Sequence, residues 1–231
     1  MKHANWPGRK KLSNKDTQRY GRYADDFYTG LKIMEKYEQG VTIFGSSRTP
    51  ENSKYYQKAM ELGSALARAG HAVISGGAAG IMEAANRGAF EAGGVSIGLN
   101  IKLPQEQSAN PYVTDSAEFN YFFARKVILA SSAKTFVYFP GGYGTMDELF
   151  EVLTLVQTGK IPPTPIILFG SDFWGDIEHF FVEKLLNQKP EMINEHDKNL
   201  YTITDDIDYV VDLVSRVTAH DSKQIIENLH K

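Results

Sequence analysis

Residues 140–148 read Pro-Gly-Gly-Tyr-Gly-Thr-Met-Asp-Glu and join the apolar run "TFVYF" to an amphipathic stretch. Gly141, Gly142 and Gly144 fall within four positions, more glycine than a reversal of direction needs. Without Cβ atoms the main chain can take positive φ and turn several N–H groups into one concavity, the backbone form of an anion site. A helix opening near Thr145 adds unpaired N–H groups and a partial positive charge, which suits a phosphate. The same residues also suit a plain tight turn from strand to helix. No Gly-Lys-Ser/Thr follows the glycines, so this is not a nucleoside-triphosphatase loop. The other small-residue turn, "SGGAAG" at 75–80, does not satisfy Gly-x-Gly-x-x-Gly, and no dinucleotide cofactor is expected.

Two carboxylates follow the glycines. Asp147 and Glu148 are adjacent and point about 100° apart around a helix, so they cannot act as a facing pair. Asp147 is assigned to complementing the helix dipole. Glu148 shares a face with Glu151 and Val152 and is expected to turn toward the glycine floor. A carboxylate beside a bound phosphate makes sense only near developing positive charge or an activated water. Other chemistry finds no support. The histidines at 3, 71, 179, 196, 220 and 230 show no i,i+4 pairing and suggest no metal site. Ser46 and Ser47 lack evident His and Asp partners for a nucleophilic triad.

The elements that must carry these residues alternate. Apolar runs "VTIFGSS", "HAVISGG", "VSIGLN", "TFVYFPGG", "PIILFG" and "LYTITDD" are followed by amphipathic stretches at 52–69, 80–92, 116–131, 144–158, 171–187 and 205–217. This pattern predicts an α/β fold, a Rossmann-like doubly wound parallel sheet with helices on both faces. In such a sheet ligands bind beyond the carboxyl ends of the strands. Three turns there are the ones to inspect: Gly45-Ser46-Ser47-Arg48, Ser75-Gly76-Gly77-Ala78-Ala79-Gly80 and Pro140-Gly141-Gly142-Tyr143-Gly144-Thr145. A helix over 20–39 precedes the first strand, with Tyr23, Phe27, Leu31 and Met34 at helical spacing. Residues 1–18 read as a mobile basic arm, 19–218 as one domain, and 219–231 as a tail whose "KQIIENLHK" suggests a short helix. The irregular segment 101–118 is either a functional loop or a plain surface crossover. "FNYFF" at 119–123 reads as core or subunit contact before base-stacking platform, and Trp6 and Trp174 as packing or terminal residues.

The chain has 231 residues, 42% of them hydrophobic, enough for one sizeable core. Its formal charge of −3 gives no overall field for nucleic acid or an anionic membrane, so an anionic ligand must be small and locally held. Cysteine is absent, which removes disulfides and thiolate metal sites and fits a reducing compartment. No apolar run reaches the roughly 18 residues a membrane helix needs. The expectation is a soluble, cytoplasmic protein.

"PGGYGTMDE" also fits the Pro-Gly-Gly-x-Gly-Thr-x-x-Glu signature of the LONELY GUY family, cytokinin-activating nucleoside 5′-monophosphate phosphoribohydrolases whose bacterial members were often labelled lysine decarboxylases. The resemblance runs from about Val41 to Gly170. "VTIFGSSRTP", "GIMEAANRGAFEAGG", "LNIKLPQEQ", "NPYV", "FARKVIL" and "LTLVQTGKI", with the preceding helix, are similar to its longer bacterial branch. The resemblance implies hydrolysis of the N-glycosidic bond of AMP or an N6-substituted AMP, without cofactor or metal, by a homodimer or larger homo-oligomer whose active sites lie near a subunit interface. It implies catalytic roles for Arg125 and Glu148. It implies substrate contacts from Lys126, Thr154 and the loop Gly141, Gly142, Tyr143, Gly144 and Thr145. Gly45, Ser46, Gly76 and Gly77 complete the expected substrate-binding set. Ala78 and Ala79 stand where that branch usually has Gly and Pro; an Ala78 held at positive φ would cost about 1–2 kcal/mol. Asp147 replaces a frequent glutamate. The competing readings are a non-catalytic nucleotide or cofactor carrier and, from the old label alone, a lysine decarboxylase, for which neither Lys126 nor Lys134 has a recognisable cofactor setting.

Overall fold

The computed structural model describes residues 13–37, 40–103, 109–131 and 133–217. Seven parallel strands form one sheet in the order β4-β3-β2-β1-β5-β6-β7. They are β1 Gly40–Phe44, β2 Ala72–Ser75, β3 Ser96–Ile101, β4 Asp115–Phe119, β5 Thr135–Tyr138, β6 Ile166–Phe169 and β7 Thr202–Thr204. The helices are α1 Asn14–Met34, α2 Lys54–Arg68, α3 Ile81–Glu91, α4 Phe122–Ser131, α5 Tyr143–Gln157 and α6 Ser171–Phe180, and α7 covers 207–217.

The central strands are buried along their whole length, which is why they read as continuous apolar runs. Alternate residues feed two cores. Phe44, Phe136, Tyr138 and Trp174 belong to one, and Val41, Ile43, Val137 and Phe139 to the other. The Trp174 indole is fully buried and donates to the Tyr138 carbonyl at 3.0 Å. The strand order reverses at β1, which pairs with β2 on one side and β5 on the other. Chains leaving the carboxyl ends of β1 and β5 therefore diverge to opposite faces and leave a crevice. The two exits are tied by Ser46 N–H donating to the Pro140 carbonyl at 3.1 Å.

The doubly wound architecture matches the expectation, with three differences. First, the stretch 116–131 is not one helix: Asp115–Phe119 is the edge strand β4, and α4 begins only at Phe122. Its "DSAEF" has poor strand propensity, and only Ala117 and Phe119 face inward; the pairing to β3 decides the outcome. Second, α1 starts at Asn14 and ends at Met34, so the expected arm over 1–18 is shortened from its end and the helix does not run from 20 to 39. Residues 1–12, with Trp6, and the expected tail helix within 218–231 lie outside the described residues, as does 104–108 of the long segment. Third, "FNYFF" divides: Phe119 is fully buried, whereas Phe122 and Phe123 are exposed. No described helix is long and apolar enough to cross a membrane.

Candidate active site

A cleft of about 710 Å³ opens at the switch point, above the carboxyl ends of β1 and β5. Its floor is backbone from all three small-residue turns: Gly45 and Ser46, Gly76 and Ala78, and Gly141 through Thr145. Arg125 from α4 and Glu148 from α5 reach it from one side. Met82, Ile101, Leu103 and Phe122 give it an apolar wall, and Arg48 and Asn100 add polar groups.

α5 begins at Tyr143, with Gly142 as its N-cap in an extended conformation and no side chain capping it. The first helical N–H groups are left facing the cleft, where an anion can complete them. The positive φ that bare backbone permits is not used at these glycines: Gly141, Gly142 and Gly144 are all outside the left-handed region. Close approach explains Gly141 instead. A Cβ there would meet Thr145 Oγ1 at 2.1 Å, so the loop can fold against its own helix only when that position is bare. In the second turn Gly77 and Gly80 take the left-handed conformation at φ 70° and 68°, and Ala78 does not. The alanine therefore carries no backbone strain. This turn is held from beneath: Gly77 N–H donates to Ser75 Oγ, and the Gly77 carbonyl accepts from Asn110 N–H and Asn100 Nδ2.

Arg125 is only 7% exposed, unlike the surface cation that an arginine on an amphipathic helix usually is. Its Nε donates to the Leu99 carbonyl at 2.6 Å, which aims the guanidinium across the ends of β3 and β2. A Cβ on Gly76 would strike Arg125 Nη2, so the arginine fits only because that turn is bare. Its Nη1 lies 3.8 Å from Glu148 Oε1, within ion-pair range but beyond a hydrogen bond. Burial dominates the electrostatics of both groups. It pushes the Glu148 carboxyl up to about 7, against the pull of Arg125, and it lowers the pKa of Arg125. Glu148 is thus a carboxylate poised to change protonation near neutrality.

Asp147 points away and pairs with Lys126 at 2.8 Å. Glu151 lies 3.3 Å from the same ammonium. Burial works against the Lys126 charge, but these two carboxylates hold its pKa above the ordinary lysine value. Of the expected substrate contacts, the structure brings Gly45, Ser46, Gly76, Gly141, Gly142, Tyr143, Gly144 and Thr145 to the cleft. Gly77 shapes the turn without lining the cleft. Lys126 and Thr154 do not line it: the former is occupied by Asp147 and Glu151, and the latter is exposed and donates to the Phe150 carbonyl. Arg48 and Asn100 were not singled out from the sequence. Arg48 stood in the first turn, where its charge was the available signal; Asn100 gave none.

The family described as "Possible lysine decarboxylase" matches residues 82–214, more than half of the chain. A cytokinin riboside 5′-monophosphate phosphoribohydrolase from Rhodococcoides fascians is 30% identical over 155 residues, covering 63% of this chain and 77% of the relative. The chain belongs to the LONELY GUY family. The rice enzyme of the same name, from Oryza sativa subsp. japonica, is 30% identical over 151 residues, 64% of this chain and 62% of that protein. Among solved structures, the molybdenum cofactor carrier protein of Chlamydomonas reinhardtii is similar with a TM-score of 0.59 and 26% identity, covering 79% of this chain and 99% of that one. A second family, "DNA recombination-mediator protein A", matches residues 26–109 only. The phosphoribohydrolase relatives support a glycosidase-type activity for this LONELY GUY protein.

Proposed function

We propose that this protein hydrolyses the N-glycosidic bond of AMP or an N6-substituted AMP, releasing the free base and ribose 5-phosphate. The observation that carries the reading is the convergence, in one cleft, of an uncapped helix N-terminus with a buried carboxylate whose pKa is about 7. The N–H groups at the start of α5 hold the 5′-phosphate, and Arg48 at the rim adds a cation. Gripping the phosphate fixes the ribose. As the bond from the anomeric carbon to the base nitrogen breaks, the electron pair leaves with the base and positive charge grows on the sugar. Ionised Glu148 stabilises that cation and orients the water that adds to it, taking up its proton; that proton then passes to the departing base nitrogen, which releases the neutral base and returns Glu148 to its ionised form. Arg125 keeps Glu148 ionised in surroundings that otherwise favour the neutral acid. The apolar wall of Met82, Ile101, Leu103 and Phe122 receives the base.

Purified protein incubated with a panel of nucleoside monophosphates, with bases separated by chromatography, tests this. Adenine or an N6-substituted adenine is expected together with an equimolar amount of ribose 5-phosphate. No base from any member of the panel contradicts the reading. The carrier reading is favoured by the likeness to the Chlamydomonas protein and predicts thermal stabilisation by nucleotide without base release. Lysine decarboxylation is disfavoured because no lysine lines the cleft among the described residues, and Lys134 sits at the opposite end of the strands, where its backbone N–H donates to the Gly40 carbonyl. The protein acts as a homodimer or larger homo-oligomer, a reading supported by the exposed Phe122, Phe123 and Val127 of α4.

A further inference from the structure

The helix ahead of the first strand is fastened to the unit that carries Arg125. Asp26, on α1, is only 3% exposed. Its Oδ2 accepts from the N–H groups of Asn120 and Tyr121 at 2.8 and 2.9 Å, and its Oδ1 from Asn120 Nδ2 at 2.8 Å. Those two N–H groups immediately precede α4, whose first turn holds Arg125; Arg125 N–H closes that turn on the Tyr121 carbonyl. A carboxylate from a distant element thus holds the two N–H groups just ahead of the helix, at the positive end of its dipole, and fixes where the helix starts. Two further contacts make the joint close. Gly30 lies so near α4 that a Cβ would meet Ile128 Cγ1 at 2.4 Å. At the end of α1, Lys36 and the Tyr37 hydroxyl both reach Asp115 on β4, at 2.7 and 3.2 Å.

We propose that Asp26 is a positioning residue for Arg125: by anchoring the start of α4 it sets the distance between the guanidinium and Glu148. The proposal rests on the phosphoribohydrolase reading for its kinetic consequence, and its geometric part is independent of that reading. Glu148 is faced by Arg125 and Lys126 from α4, by Asp147 and Glu151 on its own helix, and by Tyr138 of β5, whose hydroxyl donates to the Glu148 carbonyl. Arg125 is the nearest of the cations, so a shift of α4 is felt first in the titration of Glu148.

The test compares full-length Asp26→Ala and Asp26→Asn with the parent. Asparagine keeps one oxygen for the two backbone N–H groups, and alanine keeps none. Asp26→Ala is expected to lower kcat by about 10- to 100-fold with KM changed less than about threefold, the cost of a misplaced side chain. It also moves the limb of the pH–rate profile near neutrality upward, whereas Asp26→Asn stays within about threefold of the parent with an unmoved limb. Carbon-13 titration of the Glu148 carboxyl, assigned with Glu148→Gln, gives a reading that needs no turnover: the midpoint rises in Asp26→Ala and not in Asp26→Asn. A parent that releases no base sinks the functional reading and leaves this titration to decide. Should Asp26→Ala not fold, Asp26→Ser, whose hydroxyl tolerates the polar joint but falls short of both N–H groups, carries the same expectations. A folded Asp26→Ala or Asp26→Ser with the parent's midpoint overturns the proposal.

Discussion

Glu148 is the residue on which the chemistry turns, and burial is what makes it useful. In water its carboxyl would be ionised throughout the neutral range; here desolvation brings its pKa to about 7. For the proposed reaction the ionised form is required, so kcat/KM is expected to rise with pH and level off above an apparent pKa near 7. Arg125→Ala removes the main opposing charge and should displace that limb to higher pH while lowering kcat/KM. The same shift has a price in stability. Because the folded pKa lies above the unfolded one, the folded state holds the proton more tightly: nothing is lost below about pH 4.5, stability falls as pH rises toward 7, and the loss is complete above it. Glu148→Gln is therefore expected to be more stable than the parent at pH 8, by on the order of 3 kcal/mol and so with a higher melting temperature, and equally stable at pH 4. Equal melting at both values would contradict the assigned environment of the carboxylate.

At the scale of elements, the site is a meeting of turns that each yield a different resource. The β5–α5 turn supplies unpaired N–H groups, the β2–α3 turn clears space for the Arg125 guanidinium, and α4 delivers that guanidinium across the strand ends. Gly141→Ala forces a Cβ against Thr145 Oγ1 and must push the loop from its helix. It is expected to weaken nucleotide binding by about 10-fold or more, seen calorimetrically, with the fold kept. Unchanged affinity would remove the loop from the phosphate's surroundings. Much of this was legible in the sequence. The strand-turn-helix punctuation and the acid after the glycines pointed to the rim and to Glu148, and these residues line the cleft. What stayed hidden was tertiary. β4 is a strand because β3 offers it an edge, not because "DSAEF" prefers one. Lys126 is next to Arg125 in sequence, but the helix turns it to Asp147 and Glu151 and out of the cleft. The strain that Ala78 would carry at positive φ does not arise, because the left-handed positions fall on Gly77 and Gly80.

Over the whole molecule, a buried parallel sheet fixes the crevice, and among the described residues α4 leaves apolar side chains exposed. Phe122, Phe123 and Val127 of α4 are 56%, 45% and 47% exposed, beside the cleft rather than opposite it. An interface there would place a neighbouring copy against the mouth of the cleft. Phe123→Glu is expected to shift the protein toward the monomer in sedimentation and to lower turnover with it; an unaltered sedimentation coefficient would argue for another interface. The division of labour between a phosphate-holding backbone and a sugar-facing carboxylate is the claim on which these expectations depend. It is tested most directly by measuring AMP binding and adenine release in parallel for Glu148→Gln. Binding within a few-fold of the parent, with release slower by about 10²- to 10⁴-fold, is the predicted result. Adenine release at the parent's rate would contradict it.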